Sequence, residues 1–264
     1  MKAFIKFRFV GTAYNGYQVQ PGHIPTVQRA LNEATRALFG YDCDVMGCSR
    51  TDAGVHARVF CAAVSKRGQT DLPTTVAAQN IPRALCQYLP PDIAVTHACF
   101  VPDDFHPRYA VVAKEYEYRY YCSPIRDPFE QYRSWHIPCP LLPDAVERMR
   151  QAAQAWQGTH DFTSFMAQGS KIKDATRTVR ETRVEQEGNV LRFFVCADGF
   201  LYNMVRIMAG TLYEVAVGRR SPESIAGLTQ TKERALAGQT APPHGLYLSR
   251  VFYCRPDILP SDWD

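Results

Sequence analysis

The sequence predicts an α+β fold in which two halves contribute strands to a largely antiparallel sheet with helices packed on it. Three observations support this class. Strand-like and helix-like segments are intermixed along the chain. Neighbouring strands are joined by hairpin turns as well as by helices. A chain of 264 residues with 46% hydrophobic side chains is also long enough to build one large core or two smaller ones.

The first half begins with a strand. Residues 2–9 alternate apolar side chains with Lys and Arg, which predicts a strand with one face buried and the other exposed. Thr26 and Gly40 mark the start and end of a predicted helix with apolar residues at helical spacing. Two further strands are predicted at 58–65 and 93–101 because Val, Ala and Phe are frequent there.

The second half begins with a long tyrosine-rich strand, in which Tyr116, Tyr118 and Tyr120 share one face and Glu115, Glu117 and Arg119 share the other. The predicted elements are a strand at 109–121, a helix at 144–157, a hairpin of 178–187 and 190–197, a helix at 200–217, a short helix from Ser221 and a strand at 246–253. Prolines and acidic residues at 102–107 interrupt the pattern, so we expect two domains, 1–105 and 106–264.

Composition excludes several classes of protein. The N-terminus lacks the unbroken apolar core of a signal peptide, and no stretch of the sequence has the length and apolar character of a membrane span, so we expect a cytoplasmic protein. The net charge of +4 is too small to indicate nucleic-acid binding by itself. A local excess of three positive charges does occur at 171–183, which is either a phosphate-contacting edge or a solvated charged face.

The nine cysteines form no Cys-x-x-Cys pair, so neither a disulfide framework nor a zinc knuckle is indicated. Cys43, Cys48 and His56 could form part of a metal site, but no fourth ligand has suitable spacing, and small packing residues are the simpler interpretation. Glycine-rich phosphate loops are absent as well. We therefore expect no metal or nucleotide cofactor.

Residues 47–57 are the most polar and conformationally permissive stretch near a predicted strand, with Asp52 between a basic residue and a glycine. Two interpretations are open. The segment is either a functional loop or a plain turn in which Asp52 bonds its own backbone and Gly54 supplies a positive φ. His56 could be catalytic by its ordinary pKa, but a structural hydrogen-bonding role is favoured.

Several motifs of the sequence resemble the tRNA pseudouridine synthase A (TruA) family and occur in that family's order over nearly the whole chain. The residues that carry the resemblance are Ser-Arg-Thr-Asp-Ala-Gly-Val-His-Ala at 49–57, Leu-Pro-Pro-Asp at 89–92, Phe-His-Pro-Arg-Tyr at 105–109, Lys-Glu-Tyr-Glu-Tyr at 114–118, His-Asp-Phe-Thr-Ser-Phe at 160–165, Asn-Met-Val-Arg at 203–206 and Ala-Pro-Pro-His-Gly-Leu-Tyr at 241–247.

The resemblance implies a pseudouridine synthase fold of two ferredoxin-like halves, and a role for each matching residue. Asp52 corresponds to the catalytic carboxylate and Arg206 to the arginine that pairs with it. Tyr116 corresponds to the tyrosine that stacks on the target base and whose hydroxyl can assist proton removal from C5. Arg50 corresponds to the arginine that helps to extrude the nucleotide. Arg108 is a candidate phosphate contact.

The resemblance also implies the substrate and the assembly, which are the anticodon stem-loop of tRNA at uridines 38 to 40 and a homodimer. Whether Asp52 attacks C6, attacks C1′ or deprotonates C2′ stays open. Two alternatives are a pseudouridine synthase of the same superfold acting on another RNA, and a non-catalytic RNA-binding or tRNA-folding module. The second alternative would not require Asp52 and Arg206 together.

Overall fold

The computed structural model describes residues 1–169, 172–255, 258–260 and 263. Its strands are β1 Lys2–Phe9, β2 Cys43–Gly47, β3 His56–Lys66, β4 Ile93–Val101, β5 Val111–Cys122, β6 Trp135–Ile137, β7 Gly158–Asp161, β8 Thr176–Glu187, β9 Val190–Ala197 and β10 Leu246–Tyr253. Its α-helices are α1 Val27–Phe39, α2 Ile81–Cys86, α3 Ala145–Gln154, α4 Met204–Ala216 and α5 Ile225–Thr231.

The chain divides into two compact units, residues 1–112 with 248–264, and residues 113–247. From the sequence we expected a domain boundary between residues 105 and 106, with all later residues in the second domain. In the structure the division falls at 112/113, and the last strand belongs to the first unit because β10 borders β3. A strand's partner can come from the far end of the chain, and its own sequence does not identify that partner.

In the first unit the strands follow the order β4-β1-β3-β10, and β2 also pairs with β3. The pairs β1/β3, β1/β4 and β2/β3 are antiparallel. Helix α1 packs beside β2 and α2 beside β4. As predicted, the Thr26 hydroxyl caps α1 by accepting a hydrogen bond from the backbone N–H of Arg29 at 3.3 Å, and Gly40 ends the helix at φ +79°.

Strand β1 is buried on both faces from Ala3 to Phe7, so the prediction that one face is exposed to solvent holds at Arg8 but is wrong for the middle of the strand. Phe4, on the face that also carries the Lys residues, is 0% exposed and packs against Phe105 and Trp263, each with ring centroids 4.8 Å away. The Nζ atom of Lys6 lies 5.5 Å from the centre of the Trp263 ring. The covering residues are distant in sequence, so the alternation within β1 could not reveal them.

In the second unit the strands follow the order β5-β9-β8-β7, with antiparallel pairs throughout this series and β6 added parallel to β5. The predicted hairpin of β8 and β9 is confirmed, and its turn contains Gly188 at φ +56°. Helix α3 packs beside β8 and α4. The α+β class with mostly antiparallel pairing is thus confirmed, whereas the ferredoxin-like character of the halves stays a prediction.

Local predictions in the second unit differ from the structure at two helix ends. The helix predicted from residue 200 begins at Met204, because Asn203 has φ +61° and ψ 9°, a left-handed conformation that cannot continue a right-handed helix. The helix predicted at 144–157 ends at Gln154, and Gly158 is the first residue of β7. Strands β2, β6 and β7 and helix α2 were not predicted because each is too short to show a clear period.

Candidate active site

The candidate site in the first unit is the loop between β2 and β3, which carries Arg50 and Asp52. A backbone hydrogen bond from the N–H of Val55 to the carbonyl of Asp52, 3.2 Å long, closes a turn, and Gly54 has φ +79°. The positive φ expected at Gly54 is therefore present. Asp52 is partly exposed and Arg50 is exposed, so the loop presents both charged residues toward solvent.

Residues 11–17 lie directly against this loop and hold it by main-chain hydrogen bonds. The backbone N–H of Tyr17 donates to the carbonyl of Thr51 at 3.2 Å, and the N–H of Gly54 donates to the carbonyl of Tyr14 at 3.2 Å. A Cβ atom at Gly16, which has φ +86°, would overlap the Thr51 carbonyl oxygen. Glycine is required there for both its conformation and its lack of a side chain.

His56, at the end of the loop, is bound to the same segment. Its Nδ1 atom accepts a hydrogen bond from the backbone N–H of Gly11 at 2.9 Å, and the residue is 1% exposed. An accepting Nδ1 carries no proton, so the ring is neutral in this arrangement. A Cβ atom at Gly11 would overlap the carbonyl oxygen of Val55. The geometry favours the structural interpretation of His56 over a catalytic one.

Tyr14 and Asp92 secure the segment from the other side. The Tyr14 hydroxyl donates to Oδ1 of Asp92 at 2.6 Å, and the Asp92 carbonyl accepts from the N–H of Val10 at 2.9 Å. Burial, followed by the bond to Asp92, raises the pKa of Tyr14 well above its usual value, so the hydroxyl stays a donor. Sequence reasoning missed this support, although the closely spaced Gly11 and Gly16 were a signal of tight backbone packing.

Arg108 is exposed and follows a structured bend of the first unit. The Nδ1 atom of His106 accepts from the backbone N–H groups of Arg108 and Tyr109 at 3.2 and 3.3 Å. The Tyr109 ring stacks on His106 with centroids 4.1 Å apart and is itself 80% exposed. Burial, with a smaller contribution from Arg108, lowers the pKa of His106. An exposed cation beside an exposed ring is suitable for contact with a nucleic acid.

Tyr116, in the second unit, differs from the other two tyrosines on its face of β5. The hydroxyls of Tyr118 and Tyr120 donate to the carbonyls of Pro242 and Ala209, each at 2.8 Å, and both rings are core. Tyr116 is 7% exposed, and its ring meets Phe200 edge to face with centroids 4.9 Å apart. The glutamates on the opposite face are also buried, and each has a basic partner. Glu117 lies 2.7 Å from Arg119, and Glu115 lies 3.3 Å from Arg183.

Arg206 lies in the first turn of α4, where its neighbours Met204, Val205, Ile207 and Met208 are apolar and buried. Its Nε–H donates to the carbonyl of Ala241 and an Nη1–H donates to Oδ1 of Asn203, both at 2.8 Å. These two bonds hold the guanidinium by neutral acceptors, and the pairing of Arg206 with Asp52 that the resemblance implies stays a prediction. Burial and the nearby charge of Arg206 lower the pKa of His244, which follows Ala241 by three residues.

The basic segment at 171–183 is only partly available for phosphates, and Lys171 lies outside the described residues. Arg183 is within 3.3 Å of Glu115, 3.1 Å of Glu181 and 3.5 Å of Glu185, so carboxylates already compensate its charge. Lys173 and Arg180 are exposed. The register between β8 and β9 shifts at Arg180, and such a bulge redirects a side chain.

Within the described ranges, no group of three His, Cys, Asp or Glu residues is arranged to hold a metal ion. Cys43 and Cys48 are 1% and 0% exposed, as expected for small packing residues. No helix in the part of the chain that the structure describes is long and apolar enough to cross a membrane.

Comparison with known proteins identifies the family to which the chain belongs. A family model described as tRNA pseudouridine synthase matches residues 152–254. Relatives called tRNA pseudouridine synthase A are similar over most of the chain. The relative from Moorella thermoacetica is 42% identical over 250 residues, which cover 94% of this chain and 98% of that protein. The relative from Bacillus subtilis is 41% identical over 248 residues, covering 92% and 95%. The chain therefore belongs to the tRNA pseudouridine synthase A family.

Replacing Gly16 by Ala tests whether the loop depends on close backbone contact. The new methyl group would displace the Thr51 carbonyl, so we expect turnover on tRNA to fall about 100-fold. Gly22→Ala is the matched control, because Gly22 has φ +79° and no atom within 4 Å of the added Cβ. In both variants the left-handed backbone conformation of the new alanine lowers the free energy of unfolding by about 1–2 kcal/mol. Equal turnover in the two variants would show that the contact does not matter.

Neutralising Lys173 and Arg180 together tests the basic segment. If both contact phosphates, the slope of log binding constant against log salt concentration should flatten by roughly 1–2. The control is the double variant Arg36→Gln with Arg67→Gln, since both of these exposed arginines are paired with Asp42. An unchanged slope for the Lys173 and Arg180 variant would identify the segment as a solvated face.

Proposed function

We propose that this chain isomerises uridine to pseudouridine in the anticodon stem-loop of tRNA, at uridines 38 to 40, with Asp52 as the catalytic carboxylate. The reaction breaks the bond between N1 and C1′, turns the base over, and joins C5 to C1′. It consumes no redox equivalent and no nucleotide. The protein must supply a carboxylate near the reacting sugar or base, and a pocket that retains the base while it turns.

The observation that carries the proposal is the position of Asp52 on a loop held by main-chain bonds. A partly exposed carboxylate can reach a substrate, and hydrogen bonds to Thr51, Gly54 and His56 keep the loop in one shape. Such preorganisation suits a residue that must meet a reacting atom within a fraction of an ångström. A plain surface turn would have no need of this support.

The other site residues keep the roles that the family resemblance assigns. Arg50 is exposed beside Asp52, and a planar guanidinium can occupy the place of an extruded base in the RNA stack. Tyr116 supplies an aromatic ring for the target base. Arg206 acts as the basic partner of the catalytic carboxylate, and Arg108 contacts a phosphate. Each of these roles is part of the proposal.

The proposal extends to a homodimer in the cytoplasm.

The principal alternative is a pseudouridine synthase of the same superfold that acts on another RNA. Mapping of modified positions distinguishes this alternative from the proposed activity on tRNA. Transcripts of several tRNAs should gain pseudouridine at positions 38 to 40 and at no other uridine. Modification confined to a different RNA would support the alternative.

Asp52→Asn separates an enzyme from a binding module. The turn is closed by the backbone carbonyl of residue 52, so folding and tRNA affinity should survive, whereas loss of the negative charge should lower turnover by more than roughly 1000-fold. The measurement is tritium release from tRNA labelled at uracil C5. Asp44→Asn is the control, because Asp44 is an exposed carboxylate on the strand that leads into the loop.

The control should retain the wild-type rate. Comparable rates for Asp52→Asn and the wild type would refute the assignment of Asp52. Failure of the wild-type protein to modify any tRNA, with intact folding, would refute the proposed activity itself.

Tyr116→Phe should leave tRNA affinity close to normal, because the ring remains, and should lower turnover about 100-fold if the hydroxyl takes part in proton transfer. Tyr118→Phe is the comparison. It loses the hydrogen bond to Pro242, which should cost about 1 kcal/mol of stability while turnover changes little. Chemical denaturation and tritium release measure the two quantities. Equal losses of turnover at both positions would mean that the wrong tyrosine has been assigned.

A further inference from the structure

Asn203 begins helix α4 in an unusual conformation. The residue before an α-helix ordinarily has extended backbone angles, whereas Asn203 has φ +61° and ψ 9°. Residues other than glycine adopt this left-handed region infrequently, because the Cβ atom crowds the backbone. Such an outlier persists when surrounding structure imposes it, and outliers of this kind concentrate at functional sites.

The Asn203 side chain does not perform the task usual for its position. An N-cap Asn normally accepts a hydrogen bond from a backbone N–H of the first helical turn, and Asn203 makes no such capping bond. Its Oδ1 atom instead accepts from Nη1 of Arg206 at 2.8 Å. A residue suited to stabilise the helix is therefore used to hold a guanidinium.

The Ala241 carbonyl supplies the second acceptor, at 2.8 Å from Nε of Arg206, and the Ala241 N–H donates to the Arg206 carbonyl at 3.0 Å. The segment that leads to Ala241 is held tightly against helix α4. A Cβ atom at Gly210 would overlap the carbonyl oxygen of Gln239, and the N–H of Gly238 donates to the Thr211 hydroxyl at 2.9 Å. The carbonyl is therefore a fixed point against which the arginine is aligned.

We propose that Asn203 is a positioning residue that orients the Arg206 guanidinium for the reaction. Acceptors on two different nitrogens define the plane of the guanidinium and the direction of its remaining N–H groups. Since Oδ1 is a neutral amide oxygen, it orients Arg206 without cancelling its positive charge, which a carboxylate would do. The inference rests on the proposed function, in which Arg206 takes part in the reaction.

Asn203→Gly is the central variant, because glycine adopts the left-handed conformation freely and lacks the amide. We expect thermal stability and tRNA affinity to stay close to wild type, while the single-turnover rate falls about 10- to 100-fold. Lys232→Gly is the matched control, since Lys232 also has a left-handed backbone, φ +57°, at the end of a helix. The control should react at the wild-type rate.

A spectroscopic measurement tests the orientation without reference to activity. In the wild type, the two bonds to Arg206 should slow rotation of the guanidinium and give separate 15N resonances for its Nη groups, assigned by their loss in Arg206→Lys. In Asn203→Gly the resonance of the Nη1 group that was bonded to Oδ1 should shift, and its rotation should become faster. Asn203→Asp retains an acceptor at the same atom, so the resonances should stay separate.

Three results would overturn the inference. The first is a wild-type single-turnover rate for Asn203→Gly, and the second is an Nη spectrum of Arg206 in that variant that is unchanged from wild type. The third is a loss of rate no greater than the loss of folded protein, which would assign Asn203 a structural role. The first and third results presuppose a wild-type protein that modifies tRNA, so failure of the proposed function would be recognised beforehand by an inactive wild type, whereas the second result is independent of activity.

Discussion

The structure of the candidate site depends on direct contact between two stretches of backbone. Residues 11–17 lie on the loop that carries Asp52, and Gly11 and Gly16 permit this because a side chain at either would overlap a carbonyl oxygen of the loop. At this separation, N–H and C=O groups of the two segments bond each other. The shape of the loop is therefore determined mainly by main-chain groups, with the buried His56 ring as an additional acceptor.

The second unit uses the same device at a different place. Gly210 and Gly238 allow the segment before Ala241 to lie against helix α4, so that a backbone carbonyl reaches the guanidinium of Arg206. A carbonyl cannot be removed by substitution, and its position follows from packing of the whole segment. In both units a charged side chain is presented by a framework in which glycines enable the contact and backbone bonds maintain it.

Contacts also separate residues that look alike in the sequence. The hydroxyls of Tyr118 and Tyr120 are bound to backbone carbonyls within the core, while Tyr116 packs edge to face on Phe200. The basic residues of the 171–183 segment also differ from one another in their surroundings. Arg183 is surrounded by three carboxylates, whereas the exposed Lys173 and Arg180 are the residues of that segment through which phosphate binding is best tested. Composition and spacing report how many such groups exist, but not which partners each one contacts in the folded chain.

The sequence alone determined the α+β class, the long strands, the β8/β9 hairpin and the Thr26 cap, because each depends on residues close together in the chain. It also carried the motifs that indicate the family. Only the tertiary structure decided that both faces of β1 are buried from Ala3 to Phe7, that β10 borders β3, and that Asn203 turns left-handed and binds Arg206. These features depend on contacts between distant segments, and local patterns of polarity contain no information about which segments meet.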